Sequence, residues 1–88
     1  MKVQFRKSFE KDLGQLHDSK LLARVKTIIS EVEASQRLDE ISNFKKLKTK
    51  GSYYRIRAGD YRIGVLVDGE TVNFVRILHR REIYKKFP

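Results

Sequence analysis

The sequence predicts an α+β fold in which a two-helix hairpin packs on a small, mainly antiparallel four-stranded sheet. Three observations lead to this prediction. Apolar residues recur at helical spacing over residues 21–32, and alternation with a period of two marks three segments, residues 2–6, 53–58 and 61–67. The dipeptides Gly59-Asp60 and Asp68-Gly69 are typical of tight turns between paired strands. The predicted element order is therefore β-α-α-β-β-β, followed by a short C-terminal helix or turn.

The first half of the chain contains one strand and the helical hairpin. Residues 2–6 alternate between apolar and polar side chains, as in a half-buried strand. Ser8 is a candidate N-cap for the first helix, and residues 17–19 contain a break and a second cap. The apolar positions of residues 21–32 then form one face of a longer helix, which we expect to be core.

The second half contains the other three strands. Residues 36–52 are polar and basic and are expected to form a loop held by a few apolar anchors. The segments 53–58 and 61–67 alternate, and residues 70–78 are expected to form the last long strand; the two turns separate the three segments. Residues 79–86 follow as the short helix or turn. Because helices cover only one face of this sheet, alternate strand residues must face solvent or a ligand.

Length and composition exclude several classes of protein. A chain of 88 residues and 10.4 kDa is expected to form one domain over residues 1–88. The absence of cysteine excludes disulfide scaffolds and thiol enzymes, and two histidines are too few for a histidine-rich metal site. We therefore expect neither a metal nor a cofactor. The sequence has no signal peptide and no run near the roughly 20 apolar residues of a membrane span, so a cytoplasmic location is expected.

The positive charge is concentrated in one half of the chain. Residues 1–44 contain 8 Lys/Arg and 7 Asp/Glu, whereas residues 45–88 contain 12 Lys/Arg and 4 Asp/Glu. Arg55 and Arg57 share one face of a strand, and Arg62 follows across a tight turn. Further basic residues flank this hairpin and are candidate phosphate ligands: Lys46, Lys48, Lys50 and Arg80. Guanidinium groups bind phosphate in a bidentate manner, so the pattern indicates a surface for nucleic acid.

The segment 79–84 has the highest density of reactive side chains. His79 can exchange a proton near neutral pH, Arg81 can neutralise a phosphate, and Tyr84 can stack on a base, as can Tyr53. RNA supplies its own nucleophile in the 2′-hydroxyl, so these residues suffice for a candidate ribonuclease site. No acidic pair accompanies them, which argues against a two-metal nuclease. A structural hydrogen bond at the strand end is the other interpretation of His79.

The segments 54–62 and 79–84, reading Tyr-Arg-Ile-Arg-Ala-Gly-Asp-Tyr-Arg and His-Arg-Arg-Glu-Ile-Tyr, resemble the RelE/ParE superfamily of bacterial type II toxins. The resemblance extends over nearly the whole chain and implies the RelE-like microbial ribonuclease fold. It also implies a toxin encoded beside an antitoxin. The RelE-like branch cuts mRNA in the ribosomal A site without a metal, whereas the ParE-like branch inhibits DNA gyrase.

The resemblance assigns roles to individual residues. Arg55 and Arg57 correspond to the two basic residues of one strand, which are often lysines in the ribonuclease branch. Arg62 corresponds to the phosphate-binding arginine of the next strand, and Tyr84 to the tyrosine that stacks on a base. Arg81 corresponds to the C-terminal arginine and His79 to the general acid of some members: these complete the catalytic candidates.

The partners implied by the resemblance are a cognate antitoxin, with which the toxin can form a heterotetramer, and the ribosome with its mRNA. No membrane is involved. Three functions remain open at this point. The chain is a ribosome-dependent mRNA endonuclease, a gyrase inhibitor without nuclease activity, or a non-toxic relic that only binds an antitoxin.

Overall fold

The computed structural model describes residues 1–88 and confirms the predicted fold class. Its final element is a helix. A short 3₁₀ turn, Leu38–Glu40, lies in the connection between the second helix and the second strand. The elements in chain order are β1 (Lys2–Phe5), α1 (Lys7–Gly14), α2 (Ser19–Ala34), β2 (Phe44–Lys46), β3 (Tyr53–Ala58), β4 (Tyr61–Asp68), β5 (Thr71–His79) and α3 (Arg80–Lys86).

The sheet has five strands in the order β1-β5-β4-β3-β2, one more than the four predicted. The additional strand is β2, which lies in the segment expected to be a loop. Its three residues are too few for alternation to be visible in the sequence. The sheet is mixed because β1 runs parallel to β5, while the other neighbouring strands are antiparallel. The turn between β4 and β5 consists of residues 69–70, one residue later than predicted.

The two N-terminal helices cover one face of the sheet. The Asp18 side chain accepts hydrogen bonds from the backbone N–H groups of Lys20 and Leu21 at 3.0 and 3.2 Å, so the predicted second cap is confirmed. Ser8 does not cap α1, because its hydroxyl donates to the Val75 carbonyl instead. The apolar side chains of α1 and α2 pack with the covered sheet face into one core of twelve buried residues.

An ion pair joins α1 to the edge of β5. β1 stops pairing with β5 at Phe74, and the edge beyond that point is covered by α1. The Asp12 carboxylate accepts from Arg76 Nε and Nη2 at 2.7 and 3.0 Å and from the Ile77 backbone N–H at 3.1 Å. The exposed edge of β5 therefore obtains a hydrogen-bond partner from a helix rather than from another strand.

The sheet face opposite α1 and α2, called here the open face, is only partly open. α3 packs against β5 and β4, and the C-terminal segment follows it across the sheet. Ile83 and Phe87 are buried there, at 0% and 4% exposure, and belong to a contact separate from the main core. None of the helices combines the length and apolar character needed to cross a membrane.

Candidate nucleic-acid interface

The strand register brings the predicted arginines together on the open face. Arg57 lies directly opposite Arg62 in the β3–β4 pair. Arg55 shares their face and pairs across the other edge of β3 with Lys45 of β2. Side chains of directly opposed residues lie close together on one face of an antiparallel sheet. Four cationic side chains are therefore adjacent, and the structure gives none of them an acidic partner.

Arg62 is held in place by the turn between β3 and β4. Its Nη1 donates to the carbonyl oxygens of Gly59 and Tyr61 at 2.8 and 2.9 Å. Burial, followed by the positive charges of Arg55 and Arg57, lowers the pKa of the Arg62 guanidinium. The fold thus holds these cations close together against their repulsion, and a bound anion would relieve that repulsion.

A cavity of about 370 Å³ lies beside this group, lined by residues 45–49, Arg55, Tyr84, Phe87 and Pro88. We call it the basic cavity. Its lining includes three lysines and one arginine and no acidic side chain or imidazole. Arg55 Nε is buried and has no hydrogen-bond acceptor within the protein. A buried donor without an acceptor costs free energy. Arg55 lines the cavity without an ion pair, so its guanidinium can pair with an anion that binds there.

α3 brings Tyr84 over the basic cavity. The first residue of the helix is tied to the β3–β4 turn, because the Arg80 N–H donates to the Asp60 carbonyl at 2.8 Å. Tyr84 is 60% exposed, so its ring is free to stack on a base. Tyr84 and Arg80 are both near the arginine group. The charge interaction with Tyr84 raises the pKa of Arg62, and the positive charge of Arg80 lowers it.

Several predicted site residues lie apart from the basic cavity. Lys50 is exposed in the loop between β2 and β3, and Arg81 is exposed on the first turn of α3. Neither lines the cavity, whereas Lys46 and Lys48 do. Tyr53 is on the open face, but its ring packs edge-on against Phe87, with centroids 5.5 Å apart.

His79 lies on the covered face of the sheet, away from the arginine group. The reason is a β-bulge: Val65 pairs with Phe74 but Gly64 pairs with Arg76, so β5 has one extra residue. One extra residue reverses which side chains face the core. His79 therefore shares a face with Tyr61, with ring centroids 5.5 Å apart, and its Nδ1 accepts from the Arg81 N–H at 3.2 Å as the N-cap of α3.

We expect the substitution His79→Asn to preserve stability, because asparagine is a good N-cap residue. His79→Ala should lower the free energy of unfolding by about 1 kcal/mol through loss of the cap. Urea denaturation would check both variants. Equal losses of stability in the two variants would contradict the role of His79 as N-cap.

Two features of the interface were missed by sequence reasoning. Lys45 opposes Arg55 only because β2 exists, and a three-residue strand carries little periodic signal. Phe87 and Pro88 line the basic cavity because the chain turns back over the sheet after α3. The apolar Phe87 following a basic helix was the one available sign of that contact. No group of three or more His, Asp or Glu side chains is arranged as metal ligands.

Comparison with known proteins agrees with the fold and with the motifs. Residues 3–84 match the family model described as ParE toxin of type II toxin-antitoxin system, parDE. The chain is 46% identical to the toxin RelE3 of Methanocaldococcus jannaschii over the whole of both chains. The crystal structure of a RelB-RelE antitoxin-toxin complex from Methanococcus jannaschii matches with a TM-score of 0.82 at 44% identity, covering 97% of this chain and 99% of that one. The YoeB dimer from Staphylococcus aureus shares the fold, with a TM-score of 0.72 at 19% identity over 91% and 97% of the two chains. Since the family match spans most of the chain and the sequence similarity is full-length, this chain belongs to the RelE/ParE family of type II toxins.

Proposed function

We propose that the chain is a ribosome-dependent, metal-independent endoribonuclease that cuts mRNA in the ribosomal A site. The observation that carries the proposal is a cavity lined by Arg55 and three lysines and by no acidic side chain, beside Arg57 and Arg62. Such a cavity suits a phosphodiester and disfavours a divalent cation. Tyr84 at its rim supplies a surface on which a base can stack.

The chemistry proposed for this site needs few groups. The 2′-oxygen of RNA forms a bond to the adjacent phosphorus, and the bond from phosphorus to the 5′-oxygen breaks. One proton leaves the 2′-hydroxyl and one reaches the departing 5′-oxygen. The phosphorane-like transition state carries more negative charge than the ground state, so Arg55, Arg57 and Arg62 stabilise it preferentially. The lysines of residues 45–48 and Tyr84 are the groups at the basic cavity that can exchange protons.

A cognate antitoxin is the proposed protein partner. The similar RelE chain from Methanococcus jannaschii was solved in complex with the antitoxin RelB. The arginine group of the present chain would attract an acidic antitoxin segment, and complementary charge speeds such encounters. An antitoxin that covers the basic cavity would exclude RNA from it.

The proposal is tested by adding the purified chain to ribosomes that hold a defined mRNA and mapping the new 5′ ends. We expect cleavage within the A-site codon. An Arg62→Ala variant serves as the inactive control. Intact message in the presence of the wild-type chain would refute the nuclease proposal.

A second candidate function, inhibition of DNA gyrase, is favoured by one specific observation. No histidine, aspartate or glutamate side chain lines the basic cavity, so the usual general bases of metal-independent ribonucleases are absent from it. Inhibition of gyrase needs binding and no proton transfer. Loss of supercoiling activity on adding the chain to purified gyrase, together with an uncut message, would establish this alternative.

A further inference from the structure

Phe87 packs face-on against the backbone of Gly64 on the open face. A Cβ atom added at Gly64 would lie 2.7 Å from three atoms of the Phe87 ring, closer than real Cβ contacts. Gly64 does not have a positive φ, unlike Gly51, Gly59 and Gly69. The position therefore requires glycine for space and not for backbone conformation, since any side chain would displace the ring.

The strand register places this ring beside Arg55. Gly64 is the register partner of Arg55 on β3, so a ring seated on Gly64 lies next to the position of Arg55 in the sheet. Phe87 and Arg55 line the basic cavity together, and Arg55 Nε is the buried atom without an acceptor. An apolar ring that keeps water from this guanidinium strengthens its interaction with a phosphate, because the local dielectric constant falls.

The same ring holds the C-terminal end of α3. The helix has seven residues, which is too short for stability without tertiary contacts. Its contacts with the sheet are made by the buried residues Ile83 and Phe87, and the Phe87 N–H donates to the Ile83 carbonyl at 2.8 Å. Tyr84 lies between these two anchors. Its place over the basic cavity therefore depends on both of them.

We propose that Gly64 and Phe87 are positioning residues of the nuclease site, with the ring of Phe87 seated on Gly64 to hold α3 and Tyr84 over the basic cavity. The expected effect on RNA cleavage rests on the proposed nuclease function. Gly64 and Phe87 need not touch RNA and act through Tyr84 and Arg55.

The test uses the full chain with the variants Gly64→Ala and Phe87→Ala, alone and combined. Gly14→Ala is the matched control, since a Cβ at Gly14 meets no atom within 4 Å. Single-turnover cleavage of ribosome-bound message measures positioning. Limited digestion with trypsin measures the docking of α3, because Lys85 and Lys86 lie at its end. Cuts after Lys20 and Lys26 in α2 report in the same digest whether the rest of the fold is intact.

We expect Gly64→Ala to slow single-turnover cleavage by about tenfold or more, because a small displacement of catalytic groups reduces the reaction rate by at least that factor. Tryptic cuts after Lys85 and Lys86 should become faster while those in α2 do not. In the Phe87→Ala background, Gly64→Ala should add less than about a twofold effect, since both changes remove one contact. Gly14→Ala should leave both rates unchanged.

Two results would overturn the proposal. One is a Gly64→Ala variant that melts at a lower temperature but keeps the wild-type rates of RNA cleavage and of digestion in α3. The other is full additivity of the two changes. Failure of the wild-type chain to cut message would count against the proposed function only, because the digestion pattern still reports whether Phe87 holds α3.

Discussion

Replacing Arg55 with alanine is expected to slow cleavage of ribosome-bound mRNA by about 10²–10³-fold, the usual cost of removing a donor to transition-state charge. The variant should not lose stability. The Arg55 side chain makes no hydrogen bond or ion pair in the protein, and its positive charge repels that of Arg62. An arginine that destabilises the free protein and lines a cavity is suited to an anionic ligand.

The measurement combines a cleavage time course, a melting curve and RNA binding at several salt concentrations. Lys26→Ala is the control, because it removes the same charge from an exposed position of α2. Loss of one phosphate contact should reduce the slope of log affinity against log salt by about one, whereas the control should not change it. Wild-type cleavage by the Arg55→Ala variant would remove Arg55 from the site.

The substitution Asp12→Ala is expected to lower the free energy of unfolding by about 2 kcal/mol, because it removes charge-assisted hydrogen bonds from a partly buried ion pair. The Asp12 side chain is 9% exposed and that of Arg76 is 26% exposed. The substitution leaves the Arg76 guanidinium without its partner and the Ile77 N–H without an acceptor. We expect a corresponding fall in melting temperature, measured by circular dichroism with urea titration.

Asp39→Ala is the matched control for this prediction. Asp39 pairs with Arg37 at 3.2 Å, but the two side chains are 68% and 76% exposed, so the change should cost at most about 1 kcal/mol. The hydrogen bond to Asp12 raises the pKa of Arg76. A raised pKa contributes stability that is fully present at any pH below the ordinary pKa of arginine. The contribution of Arg76 should therefore be constant around neutral pH. Equal losses in the two variants would contradict the prediction.

Local patterns were sufficient for the fold class and for most of the elements. The apolar positions of residues 21–32 have the helical period, and the alternation in residues 53–58 has the strand period. Both periods follow from backbone geometry over a few residues, so they can be read without knowing the partners. The β2 strand could not be predicted in this way, since its pairing with β3 is the only evidence for it.

The candidate site was only partly predictable for the same reason. Arg55 and Arg57 share a face because they are two residues apart, and Arg62 joins them across a short turn. His79 was placed with them by its closeness in sequence to Arg81 and Tyr84. The bulge in β5 reverses the alternation before residue 79, and the imidazole caps α3 on the covered face instead.

Sequence patterns were enough to predict the helical hairpin, four of the five strands, the concentration of positive charge in residues 45–88 and the group of three arginines. The tertiary structure alone decided that α3 crosses the open face, that Phe87 is seated on Gly64 and that Lys45 opposes Arg55. The physical reason is the range of the interactions. Periodicity and tight turns depend on neighbouring residues, whereas register, bulges and close packing depend on side chains that meet only after the chain has folded.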